Sequence, residues 1–103
     1  MVSSIAHLRS APLTRDLADS LARVSSGEEM LAVFADLCTP AEVQAMGERW
    51  HVARLLNEGK MTYREIHDAT GVSTTTIVRV ARFLRQEDFG GYRLLLAKAE
   101  RAS

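Results

Sequence analysis

Met61-Thr-Tyr-Arg-Glu-Ile-His-Asp-Ala-Thr-Gly-Val-Ser-Thr-Thr-Thr-Ile-Val-Arg-Val-Ala-Arg-Phe-Leu84 reads as two short helices joined by a tight turn. Thr62 and Glu65 have the T-x-x-E spacing of a capping box, which satisfies two orphan amides at one helix start. Ile66 and Ala69 give that helix an apolar side. Gly71 stands where a left-handed residue closes a helix, because it has no Cβ to clash. Val72 is placed to dip between the helices, and Ser73 suits the N-cap of the next one. Ile77, Val80, Ala81 and Leu84 recur at i, i+3, i+4 and i+7, a single helical face. Thr74, Thr75, Thr76, Arg79, Arg82 and Arg85 occupy the other face.

This is the layout of a helix-turn-helix that reads DNA. Such a unit presents short polar side chains at the start of its second helix to base edges, with cations nearby for phosphates. Lys60, Arg64, His67, Ser73, Thr74, Thr75, Thr76, Arg79, Arg82 and Arg85 are the candidate DNA contacts. Among them, Thr74–Thr76 and Arg64 are expected to read bases. Lys60, Arg82 and Arg85 are expected to hold phosphates. His67 stands where many such units have a small residue, so its ring either alters the helix crossing or faces outward to a phosphate. The competing reading is an ordinary helical hairpin in an all-helical core.

The net charge of zero weighs against a nucleic-acid partner, but its distribution does not. Residues 60–85 carry Lys60, Arg64, Arg79, Arg82 and Arg85 against Glu65 and Asp68, a net of +3. Residues 28–42 carry Glu28, Glu29, Asp36 and Glu42 with no Lys or Arg, a net of −4. Phosphate affinity follows local charge rather than the total, so modest and salt-sensitive binding is expected.

Outside this core, residues 1–11 read as a loose arm and residues 12–101 as one helical domain, with the helix-turn-helix at about 62–86. Leu13, Leu17, Leu21 and Val24 mark an amphipathic helix over 13–25, broken by Ser25-Ser26-Gly27. Ser26 caps a helix over about 27–38, with Leu31, Phe34, Leu37 and Cys38 on its apolar side. Thr39-Pro40-Ala41-Glu42 combines an N-cap, proline at N1 and a second capping box. Val43, Met46, Trp50, Ala53 and Leu56 or Leu55 carry that helix to about residue 58, where Gly59 ends it. Asp88-Phe89-Gly90-Gly91 is a break, and Tyr92, Leu95, Leu96 and Ala99 form a last short helix.

Chemistry beyond binding finds little footing. His7, His51 and His67 lie far apart without Cys or paired acids at ligand spacing, so neither a metal nor a catalytic group is expected. No phosphate loop or nucleophile elbow occurs, and no cofactor is expected. Cys38 is the single cysteine, which excludes an intrachain disulfide and fits a reducing compartment. There is no apolar run of membrane-spanning length and no apolar segment of signal-peptide length near residue 1, so a cytoplasmic location away from membranes is expected.

The runs Leu37-Cys-Thr-Pro-Ala-Glu-Val-Gln-Ala-Met-Gly-Glu-Arg-Trp50, Leu55-Leu-Asn-Glu-Gly-Lys-Met-Thr-Tyr-Arg-Glu-Ile66 and Thr74-Thr-Thr-Ile-Val-Arg79 resemble the tryptophan repressor superfamily. The likeness covers about residues 37–85 without a gap. It is closer to the TrpR-like YerC/YecD subgroup, through Asp36-Leu37-Cys38, the Gly71-x-Ser73-Thr74 turn and the Gly91-Tyr92-Arg93 tail. The resemblance implies an all-α, six-helix fold whose subunits interlock as a homodimer on double-stranded DNA. Independently, apolar stripes on three helices of so short a chain call for a two-fold partner, where the bland alternative is a monomeric bundle.

In tryptophan-binding members of that superfamily, a threonine and two arginines surround the corepressor, and Thr39, Arg49 and Arg79 match those positions. Val80 stands where those members have glycine, and Phe83 where they have serine. Both would fill space that the indole and its amino group need. The expectation is therefore a dimeric regulator that does not use tryptophan, with Arg49 and Arg79 free for ion pairs or phosphate. Two other readings remain: a helical protein-interaction module, and a regulator sensing another small ligand between Arg49 and Arg79.

Overall fold

The structure is a computed structural model and describes residues 5–102. Among them the chain is all helical: α1 (Ile5–Ser10), α2 (Pro12–Leu21), α3 (Gly27–Leu37), α4 (Pro40–Glu58), α5 (Tyr63–Thr70), α6 (Thr74–Arg85) and α7 (Gly91–Ala102). That is seven helices among the described residues rather than six, because Ile5–Ser10 is helical where a loose arm was expected. This short helix packs on α2 and closes with its own backbone and a Ser10 hydroxyl donated to the His7 carbonyl at 3.1 Å. Residues 1–4 of the expected arm lie outside the described residues.

Where local signals were dense, helix ends fall on them. Thr39 Oγ1 accepts from the Glu42 N–H at 3.1 Å and the Glu42 carboxylate accepts from the Thr39 N–H at 2.7 Å, a complete capping box before Pro40. The same reciprocal pair joins Thr62 and Glu65 at 3.1 and 2.8 Å and starts α5. Ser26 Oγ accepts from the Glu29 N–H, and the Glu29 carboxylate reaches back to the backbone and hydroxyl of Ser25. α2 stops at Leu21, short of the expected residue 25, and Val24 falls in the connection.

The chain divides into two compact units, residues 1–43 and 44–103. In the second unit the later part of α4 joins α5–α7 around one core. Val52, Ala53, Ile66, Ile77 and Val80 are fully buried, and Leu56, Val72, Ala81 and Leu84 nearly so. Trp50, Leu55, Met61, Tyr92 and Leu96 pack against this cluster. Full burial of a branched aliphatic side chain contributes about 1.5–3 kcal/mol, so Ile66 and Ile77 are principal anchors of the two motif helices.

The first unit is built differently. No described residue of α1, α2 or α3 is buried. Leu13, Leu31 and Leu37 are 86%, 59% and 54% exposed. The expectation that Leu31 and Leu37 face inward is thus not met within one chain, while Phe34 and Cys38 are half-buried.

Candidate nucleic-acid interface

The turn between α5 and α6 is fastened by several hydrogen bonds. Gly71 has φ +76°, the left-handed region, and its N–H donates to the His67 carbonyl at 2.8 Å. Thr70 donates its hydroxyl to the Ile66 carbonyl at 2.7 Å and accepts the Val72 N–H at 3.1 Å. The His67 ring bonds the Val72 carbonyl through Nδ1 at 2.8 Å. A carbonyl can only accept, so Nδ1 carries the hydrogen. His67 is half-buried, and its ring braces the connection through this bond. No sequence rule pointed to it, because the bond depends on the turn bringing Val72 back over the end of α5.

Ser73 caps α6 as expected. Its Oγ accepts from the Thr76 N–H at 3.1 Å and donates to Thr76 Oγ1 at 3.0 Å. Ser73 and Thr76 therefore spend hydrogen bonds on the cap, while Thr74 and Thr75 stand exposed in the first turn of the helix. Behind them Ile77, Val80, Ala81 and Leu84 anchor the opposite face.

The cations have separate fates. Lys60 is exposed ahead of α5. Arg64 pairs with Asp68 at 3.3 Å, and Arg82 with Glu87 at 3.0 Å. Exposed pairs of this kind contribute about 0–1 kcal/mol, so a phosphate can displace the acid at little cost. The Arg79 guanidinium lies 4.5 Å from the centre of the Phe83 ring, and that of Arg82 lies 5.3 Å from it. Arg85 donates from Nη2 to the Leu56 carbonyl at 3.1 Å, near the end of α4. An unpaired carbonyl in the last turn of a helix is a strong local acceptor, and Arg85 is the donor within reach.

Of the residues considered for a ligand pocket, Arg79 and Phe83 border one cavity. Val80 is fully buried in the core beneath α6. Thr39 is committed to its capping box, and Arg49 is half-buried on α4. Phe83 stacks on Phe89 with ring centres 5.8 Å apart. Beside these rings lies an open cavity of about 470 Å³, bounded by Arg79, Phe83, Phe89, Tyr92 and Leu95 among others. In the sequence, Phe89 marks only a break and Tyr92 only a helix face. An aromatic at a break is no more than a weak pointer to a pocket wall.

Two acids outside the motif titrate abnormally. The Ser25 and Thr39 backbone N–H groups hold the carboxyls of Glu29 and Glu42, respectively, below the ordinary value of 4.5, with the neighbouring hydroxyls adding to the effect. Both belong to helix starts, where negative charge is favourable.

Comparison with known proteins places this geometry. The family model described as Trp repressor protein matches residues 14–100. The chain is 46% identical over 68 residues to the uncharacterized protein YerC of Bacillus subtilis strain 168, a match covering 66% of this chain and 64% of that protein. A solved structure of a Trp repressor candidate from Staphylococcus aureus superposes with a TM-score of 0.83 at 33% identity, covering 96% of each chain. A TrpR-like protein from Eubacterium eligens superposes with a TM-score of 0.80 at 29% identity, over 89% of this chain and 93% of that one. With a helix-turn-helix held as described and a family match that runs nearly from end to end, the chain belongs to the Trp repressor family, in its TrpR-like, YerC-related branch.

Proposed function

We propose that this protein is a cytoplasmic, dimeric, sequence-specific DNA-binding transcriptional regulator that works without tryptophan. The observation that carries the reading is the exposed pair Thr74 and Thr75 at the start of α6, on a helix whose other face is locked by buried Ile77 and Val80. A rigid helix with short hydroxyls at its leading end suits entry into the major groove, where threonine pairs with base edges and its methyl meets thymine. Arg64, Arg79, Arg82 and Lys60 supply the surrounding positive charge. Family membership supports the class of partner.

The homodimer rests on the apolar side chains left uncovered within one chain, including Leu31, Leu37, Leu94 and Leu95, each more than half exposed. A second copy is the simplest cover for such a surface. Independence from tryptophan rests on buried Val80 and on Phe83, whose ring stacks on Phe89 and lies 4.5 Å from the Arg79 guanidinium. A second reading, a regulator that senses another small ligand, draws on the cavity beside Arg79 and Phe83, although Arg49 does not line it.

The test is fluorescence anisotropy on a duplex selected from random sequence and on a scrambled duplex, across a salt series. Thr75→Ala and Arg64→Ala should weaken only the selected site, by about 1–3 kcal/mol for a lost base contact. Arg82→Ala should weaken both duplexes alike and lower the salt slope by about one per subunit. Equal losses on both duplexes for the Thr75 and Arg64 variants would overturn base reading. Calorimetry with millimolar L-tryptophan should give no saturable heat.

A further inference from the structure

We propose that the cleft where the ends of α4 and α6 meet the start of α7 is a binding site for a phosphate-type oxyanion. The cleft has a volume of about 440 Å³ and is lined by Leu56, Asn57, Leu84, Arg85 and Arg93, so two guanidinium groups and one amide are its polar walls. Arg93 belongs to the Gly91-Tyr92-Arg93 tail, which the DNA-reading surface does not use.

Each arginine is held at one edge. Arg85 donates from Nη2 to the Leu56 carbonyl at 3.1 Å, and Arg93 from Nη1 to the Leu84 carbonyl at 2.8 Å. The Arg93 guanidinium also lies over Gly90, where an added Cβ would sit 3.6 Å from Nη2. A guanidinium has five N–H donors, and each of these bonds uses one. The donors left over belong to side chains already restrained, so little rotamer entropy is lost on binding.

Among the described residues, no acid pairs with either guanidinium, whereas Arg15, Arg64 and Arg82 each face a carboxylate. The two helix-end carbonyls offset only part of their charge, since a helix terminus carries about half an elementary charge. Two fixed forks on one cleft match the several oxygens of a phosphate better than a single carboxylate does. The Asn57 amide adds a neutral donor on the same wall.

Inorganic phosphate, titrated at constant ionic strength against a chloride control, tests this on the full chain. The expected result is saturable binding with one site per chain, a rise in the unfolding temperature, and NMR shifts at the Asn57 side-chain amide. Asn57→Asp puts a like charge in the cleft without touching either arginine bond, and should weaken phosphate roughly tenfold or more. Arg93→Gln should weaken it as well. Circular dichroism reports whether each variant folds, and Asn57→Asp keeps the test valid if Arg93→Gln does not.

No saturable binding, or binding unchanged in Asn57→Asp, overturns the proposal. The same variants identify the source of the anion. Equal loss of affinity for selected and scrambled duplexes in Asn57→Asp, with a lower salt slope, marks a DNA backbone phosphate. Unchanged duplex binding with lost phosphate binding marks a free phosphorylated small molecule. If no duplex binds at all, the DNA reading fails while the oxyanion site is still judged by phosphate alone.

Discussion

α3 and α5 both start at a hydroxyl N-cap, Ser26 accepting from Glu29 in one and Thr62 from Glu65 in the other, yet of the two only α5 reaches a buried core. Ile66 of α5 is fully enclosed by residues of its own unit, whereas Leu31 of α3 is mostly exposed. Caps decide that a helix begins. They say nothing about which molecule covers its apolar side. The unit of residues 44–103 encloses a buried core while leaving Leu94 and Leu95 of α7 exposed, and the described helices of the unit 1–43 bury no residue.

The largest effect should come from charging the closed core. Ile77→Asp buries a charge with no partner, and urea unfolding should show a loss of about 3–5 kcal/mol or no cooperative transition at all. The corresponding change in the open unit, Leu31→Asp, should act on assembly. Light scattering during size exclusion should give a dimer mass for the parent and a monomer mass for the variant. A monomeric parent at micromolar concentration would break the comparison, because the exposed leucines would then need another explanation.

Gly71→Ala comes next. The position has φ +76° and nothing within 4 Å of an added Cβ, so the penalty is conformational alone, about 1–2 kcal/mol by urea titration. The smallest effect concerns the two helix-start acids. Their carboxyls are held below 4.5, so their stabilisation is complete above the ordinary carboxylate value and is lost as pH falls through the lowered folded-state value. Helix content followed by circular dichroism should therefore decline at acid pH, and Glu42→Gln should flatten part of that decline. An unchanged acid limb in the Gln variant would show that its titration is not coupled to folding.

Much of the candidate interface was legible because its signals are local. The Thr62–Glu65 box, Gly71, the Ser73 cap and the Ile77-Val80-Ala81-Leu84 face all act within a few residues, and each stands where its spacing put it. The same short-range chemistry placed α4 between Pro40 and Glu58. The roles of the polar side chains were harder to read. Composition shows that Arg64, Arg82 and Arg85 are basic, but their spacing does not show that two meet acids and the third meets a carbonyl.

The sequence by itself determined that the chain is helical, where most of its helices begin and end, and which two form the turn motif, since these follow from caps, glycines and a 3.6-residue period. Only the tertiary structure decided that His67 braces the turn. It also brought Arg85 to Leu56, 29 residues away, and set Arg93 on the same cleft. The physical reason is range. A cap is satisfied by the residues beside it, whereas the partner of a long cationic side chain depends on which carbonyl or carboxylate folding brings within about 3 Å of it.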